Sequence, residues 1–174
     1  MKYCNTKDLP SQERLRQLFV YDFESGYLSN RINRKNQAAG ARSGTIDHRG
    51  YRRTYVDGAT YAEHRIIWVW VHGSIPPGLY IDHINHLRQD NRIQNLRLVT
   101  PQVNNLNALP SIRNKSGYQG VTRISSSGRY QARIKHFGRN KHIGNFDTAI
   151  EAFYAYTLAR AKTINKLLNG GIYA

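Results

Sequence analysis

The stretch from Tyr80 to Asn107 constrains this chain more than any other. It reads YIDHINHLRQDNRIQNLRLVTPQVNNLN: an adjacent aspartate and histidine, a polar connection, a short apolar run, then a threonine-proline pair followed by asparagines. No globular core needs that mixture. Leu79, Tyr80 and Ile81 suit a short strand that delivers Asp82 and His83, and Leu96, Arg97, Leu98 and Val99 suit its partner. The connection from His86 to Gln94 is too long for a tight hairpin turn. Thr100 is a good N-cap and Pro101 suits the first helical position, so a helix should start there with Asn104 on its first or second turn. The spacing predicts a strand-loop-strand-helix unit in which Asp82, His83 and Asn104 can converge.

That set of groups suits metal-assisted hydrolysis of a phosphodiester. A carboxylate and an amide oxygen are hard ligands for Mg²⁺ or Mn²⁺, with water and phosphate completing the shell. The adjacent imidazole can take a proton from the attacking water, and the ion would stabilise the leaving oxygen. Zinc is not expected, because the segment offers no cysteine. Taken singly, Asp82, Asn95 or Asn104 would be read as turn caps. It is the joint pattern that points to chemistry.

The segment resembles the HNH endonuclease motif of phage and intron homing enzymes, with its Asp-His, its Asn, its Asn-Leu-Arg and a final His or Asn. The resemblance implies a ββα-metal (His-Me finger) core in which His83 is the general base, Asp82 and Asn104 hold one divalent ion, and Asn95 braces the loop. The final family histidine is Asn104 here, giving an H-N-N version.

Charge identifies the partner class. There are 26 Lys and Arg against 11 Asp and Glu, a formal net charge of +15. Such an excess points to a polyanion, most simply nucleic acid. A membrane surface is disfavoured, because there is no apolar run of transmembrane length and no hydrophobic N-terminal leader. The single cysteine, Cys4, cannot form an intramolecular disulfide and fits a reducing cytoplasm, that of a bacterial host if the chain is of phage origin. Between Asn91 and Phe146 there is no Asp or Glu, whereas arginines and lysines recur, Arg113 and Lys115 among them. This is the expected DNA footprint, joined by weaker candidates His86 and Arg88 in the loop near the cut.

In chain order, Ser11 can cap a short helix with Leu15, Leu18 and Phe19 on one face. LFVYDFESGYLSNR reads as a hairpin, and a second hairpin turns at Asp57-Gly58 between YRRTYV and TYAEH. Arg31, Arg34 and Lys35 open a polar loop. HRIIWVWVHG fits a strand by its β-branched and aromatic residues and a buried helix by its terminal glycine; the HNH resemblance favours the helix. His64 and His72 there are read as structural before functional. Ala108 to Gly117 reads as a linker.

Beyond it, YQGVTRI, RYQARIK and KHIGNF alternate as three strands. Tyr130, Ala132 and Ile134 fall on one face of the middle strand; Arg129, Gln131, Arg133 and Lys135 fall on the other. Asp147 can cap a helix from Thr148 to about Leu168, whose stripe of Ala149, Ala152, Phe153, Tyr156, Ala159 and Thr163 can cover the apolar face. With SGYQGVTR and HIGNF-DT-A-EA, this part resembles the DNA-binding domain of plant ethylene-response factors, whose exposed sheet face lies in the major groove. By that resemblance Thr122, Arg123, Arg129, Tyr130, Gln131, Arg133, Lys135 and Lys141 are candidate DNA contacts.

The expectation is an α+β chain of two modules: an HNH nuclease domain over 1–107, a linker over 108–117, and over 118–174 a three-stranded antiparallel sheet packed on one helix. It would be an endodeoxyribonuclease acting on double-stranded DNA with one divalent ion, leaving 5′-phosphate and 3′-hydroxyl ends and needing no obligate protein partner. A DNA-binding regulator without catalysis and an RNA-binding protein with stacking tyrosines, Tyr118 and Tyr130, are the competing classes.

Overall fold

The computed structural model describes residues 8–34, 37–107, 115–136 and 138–169. Cys4, Lys35, Arg113, Phe137 and most of the expected linker lie outside the described residues. Packing divides the chain into two units, Met1–Leu98 and Val99–Ala174.

In the first unit, helix α1 (Gln12–Leu18) starts where Ser11 accepts the Arg14 N–H at 3.2 Å. Phe19 leaves the helix in extended conformation to begin β1 (Phe19–Asp22), antiparallel to β2 (Tyr27–Asn30). A three-stranded antiparallel sheet follows: β3 (Thr45–Ile46), β4 (Arg52–Val56) and β5 (Ala59–Ala62). Asp57 and Gly58 join the last two, both at positive φ, as a tight hairpin turn demands.

The ambiguous apolar run is helix α2 (Glu63–His72). Glu63, Ile66, Ile67 and Val69 are buried on it, and Gly73 ends it at φ +89. Tertiary burial of a helical face outweighs the strand preference of its aromatic and β-branched residues. The strand expected to reach His64 therefore stops at Ala62. The Gln12 amide and Arg16 guanidinium of α1 donate to the Trp70 and Val71 carbonyls, satisfying the exposed end of α2. Leu15, Phe19, Leu28, Val56, Ile66, Ile67 and Leu96 are shared by one core. Strands β6 (Tyr80–His83) and β7 (Leu96–Val99) pair as a two-stranded sheet, and a 3₁₀ turn at Ile93–Asn95 leads into β7.

The second unit opens with helix α3 (Pro101–Asn107); the Thr100 hydroxyl accepts the Val103 N–H and its carbonyl accepts the Asn104 N–H. The order β6, β7, α3 is the strand-strand-helix succession expected. Arg160 donates to the Leu106 carbonyl at 2.7 Å and to Asn107 Oδ1 at 2.8 Å. The helix thus packs with the C-terminal part, whereas the sequence assigned it to the first module.

Strands β8 (Val121–Arg123), β9 (Tyr130–His136) and β10 (Arg139–Phe146) form an antiparallel sheet with β9 in the middle. It packs on α4 (Ala149–Asn169). Val121, Ala132, Ile134, Ala152 and Tyr156 make this core with Leu106, and Ile164 and Leu167 extend the helical stripe beyond the residues expected. Thr148, not Asp147, caps α4: its hydroxyl accepts the Glu151 N–H while Glu151 accepts the Thr148 N–H. Asp147 is held instead by Arg129 at 2.8 Å.

The tip of the first hairpin presses on the chain at Asn91 and Arg92. A Cβ on Gly26, at φ +73, would lie 2.4 Å from the Arg92 nitrogen and 2.7 Å from the Asn91 carbonyl carbon. Neither backbone atom can swing aside. Gly26→Ala is expected to destabilise the protein by about 2 kcal/mol or more, from backbone strain plus clash, as read in a denaturant melt.

Candidate active site

Strand β6 turns its last two side chains to different neighbours, as successive strand residues must. The Asp82 carboxylate, 9% exposed, meets Arg97 on β7: Nε and Nη2 donate to Oδ2 at 3.0 and 2.9 Å. His83, 5% exposed, faces the interior of the first unit. Its Nε2 lies 2.9 Å from Asn91 Oδ1. The His64 ring meets it edge-on at 5.0 Å between centroids, and Tyr51 lies 6.1 Å away.

Behind Asn91 runs a buried polar chain. Asn91 Nδ2 donates to Glu63 Oε1 at 3.2 Å, Thr54 Oγ1 donates to Glu63 Oε2 at 3.2 Å, and Ser43 Oγ donates to Thr54 at 3.3 Å. Glu63, Asn91, Thr54 and Ser43 are each at most 1% exposed. They join the start of α2, strand β4 and the loop after β6.

Burial shifts the titration of this cluster. The Glu63 carboxyl is pushed up to about 7 by desolvation, against the opposing pull of Arg52, Asn91, Arg42 and Thr54. Burial lowers the affinity of His83 for a proton, partly offset by Asn91 and Asp82. At neutral pH its ring is uncharged and able to accept a proton. His64 is lowered well below the ordinary range by burial, then by His83 and two arginines. Its ring packs edge-on against that of His83.

The loop from Ile84 to Asn95 is laced to its own base. Asn95 Nδ2 donates to Asn85 Oδ1 at 2.9 Å and to the Asp90 carbonyl at 2.8 Å, and Asn95 Oδ1 accepts the Asn85 N–H at 3.0 Å. Asp90 receives both Arg92 Nε and Nη2, and the Asn85 amide. The Arg92 contacts, foremost, hold the Asp90 carboxyl down at about 2. Tyr21 ties the loop to the first hairpin, donating to the Asn91 carbonyl and accepting the Ile93 N–H. His86 adopts a left-handed φ of +64. Arg88 lies over the Tyr51 ring at 5.0 Å and donates to the Arg49 carbonyl.

Among the described residues no three His, Cys, Asp or Glu side chains group as a metal cluster. Of the two residues expected to hold a metal, Asp82 lies on β6 of the first unit and Asn104 on α3 of the second.

Residues 61–106 match the HNH endonuclease family model. The chain is 35% identical over 109 residues to an uncharacterised HNH endonuclease, L560, of Acanthamoeba polyphaga mimivirus, covering 63% of this chain and 56% of that protein. It is 37% identical over 59 residues to protein 3.8 of Escherichia phage T7, covering 34% and 49%. It thus spans about half the length of these relatives. The solved HNH homing endonuclease I-HmuI aligns over 87% of this chain and 84% of its own, at 20% identity and a TM-score of 0.43.

The matched segment contains α2, both site strands and nearly all of α3, and with them Glu63, His64, Asp82, His83, Asn91, Asn95 and Asn104. Sequence reasoning missed Asn91 and Glu63. Nothing local sets them apart, one being an asparagine beside Asp90 in the loop and the other a lone acid at the head of an apolar run.

In the second unit, register sorts the expected DNA contacts. Thr122 pairs with Gln131, which pairs with Asn145; Arg133 pairs with His142, and Lys135 with Asn140. Paired residues share a face, so these form one polar, cationic surface, on which Gln131 also bonds His142 at 3.1 Å. Three expected contacts lie elsewhere. Tyr130 packs against the core; Arg123 is its register partner and Lys141 that of Ile134, which puts both on the helix side, exposed at its margins. Arg129 sits before β9, paired with Asp147, and Lys115 is an exposed turn residue.

The raised Glu63 affinity has a stability signature. A carboxyl protonated more readily when folded favours folding below its unfolded value of 4.5, and that advantage is lost as pH rises through about 7. Relative to Glu63→Gln, the wild type should lose on the order of 3 kcal/mol between pH 4.5 and 7, as measured by denaturant melts of both proteins across that range.

Proposed function

We propose that this chain is a metal-dependent DNA endonuclease of the HNH class, of the homing type, that hydrolyses phosphodiester bonds at a site positioned by its C-terminal sheet. The observation that carries the reading is the neutral, buried His83, fixed through Nε2 and adjacent to the Asp82 carboxylate. The match over residues 61–106 supports it.

In this mechanism His83 takes the proton from the water that attacks phosphorus. Asp82 and Asn104 would hold the metal, their hard oxygens fitting Mg²⁺ or Mn²⁺ and not zinc. When bound, such an ion supplies stabilisation of charge developing on the phosphate oxygens. Asn95 keeps the loop in shape through its bonds to Asn85 and Asp90. Arg97 holds Asp82 in place while balancing its charge. Arg88 and His86, on the same loop, would meet phosphates near the cut. The hydrolysis leaves 5′-phosphate and 3′-hydroxyl ends.

The sheet face of Thr122, Gln131, Arg133, Lys135, Asn140, His142 and Asn145 binds duplex DNA, as the likeness to ethylene-response-factor domains suggests. Arginine and glutamine on such a face can read guanine and adenine edges, and the lysine supplies phosphate attraction. The alternative is a DNA-binding regulator without catalysis. The Arg97 ion pair is on its side, because it takes up Oδ2, one of the two carboxylate oxygens that a metal would use.

Supercoiled DNA with Mg²⁺ should be nicked or linearised by the wild type, and EDTA should abolish this. His83→Ala should lower the rate at least about 100-fold while gel-shift affinity in EDTA is retained. Binding without cleavage in any divalent ion would instead establish the regulator. Replacing Lys135 with alanine should flatten the slope of log affinity against log salt by about 0.9, for the one phosphate no longer neutralised.

A further inference from the structure

The chain of bonds behind His83 determines more than its position. Thr54 and Ser43 hydroxyls point along the chain toward Glu63, so Oε2 accepts from Thr54 and Oε1 accepts from Asn91. At pH 8, above the value of about 7 to which burial raises it, the Glu63 carboxyl is ionised and has no hydrogen to give. The Asn91 amide must therefore turn Nδ2 toward Glu63, since the reversed amide would set oxygen against oxygen. That leaves Asn91 Oδ1 facing the imidazole at 2.9 Å, and an amide oxygen can only accept. The hydrogen on the ring must then sit on Nε2.

We propose that Asn91 and Glu63 are positioning residues for His83, locking its ring as the Nε2–H tautomer so that Nδ1 carries the lone pair. The consequence for catalysis rests on the nuclease reading above: Nδ1 is then the atom that takes the proton from water. The tautomer itself does not depend on that reading. Asn91 is well suited to the task. Its carbonyl is held by Tyr21, the Gly26 turn abuts its backbone, and its side chain is 28 residues from Glu63 in sequence but bonded to it in the interior. A residue needed only to fill space would not require both of its amide ends to be directed.

The test is ¹⁵N NMR of the full-length protein labelled at histidine, recorded at pH 8, with His83→Gln identifying the His83 signals. A bare ring nitrogen and a protonated one resonate far apart, so the tautomer is read directly. In the wild type Nδ1 should carry the bare-nitrogen signal and Nε2 the protonated one. Asn91→Ala should give a mixture of tautomers, and Glu63→Gln, whose amide can donate as well as accept, should give a partial mixture. Single-turnover cleavage should fall on the order of 100-fold in Asn91→Ala, with affinity for uncut DNA in EDTA unchanged. An Nδ1–H tautomer in the wild type, or an unchanged tautomer in folded Asn91→Ala, would overturn the proposal. Loss of the fold in both variants would assign the pair a purely structural role and overturn it as well. A wild type that shows the expected tautomer but never cuts DNA would sink the nuclease reading and leave the positioning pair standing.

Discussion

A carboxyl group with no exposure to solvent, Glu63, is the constraint on which the first unit depends. Burying such a group costs several kcal/mol unless it is hydrogen-bonded and balanced by charge. Here a strand hydroxyl and a loop amide meet it, with Arg52 and Arg42 near enough to oppose its protonation. Three elements are thereby obliged to meet at one point: the start of α2, strand β4 and the loop following β6. A slip of any of them would strand a buried polar group. The polar chain therefore specifies the arrangement that the surrounding apolar core, tolerant of small shifts, could not specify alone.

The legible parts of the fold were those encoded by neighbours in sequence. Ser11 before an apolar-periodic run, Asp57-Gly58 between alternating segments and Thr100-Pro101 before the asparagines each carry local backbone physics, and each marks an element of the structure. Asp82 and His83 could be singled out for the same reason, being adjacent. Glu63 and Asn91 could not, because what makes them matter is a hydrogen bond across the core. The run from His64 to His72 was undecidable by propensity, since a helix packed on one side tolerates residues that also favour strands. Faces within β9 followed from alternation. The placement of Lys141 and Arg123 did not, because it needs the pairing of neighbouring strands, including the register shift between His142 and Gly144. The cap of α4 was misassigned by one residue for want of the reciprocal Thr148 and Glu151 bonds.

The two acids that bracket the long acid-free stretch are both engaged. Asp90 is clasped by Arg92, and Asp147 by Arg129. Their negative charge is directed at arginines beside them, and the intervening arginines and lysines face no carboxylate from within that stretch. A polyanion approaching this part of the chain competes with Asp90 for Arg92, with Asp82 for Arg97 and with Asp147 for Arg129. The low value held by Asp90 also means that the loop beside His83 keeps its ion pair throughout the ordinary pH range.

The Arg160 contacts to Leu106 and Asn107 have a bearing on how such chains can be recombined. A graft that exchanged C-terminal parts at the segment after Asn107 would cut α3 away from the guanidinium that holds its end, and from the core to which Leu106 contributes. The division between the two units falls instead at Val99. Shuffling at that point would carry the helix bearing Asn104 along with the sheet, so a new sheet would arrive with its own copy of that asparagine.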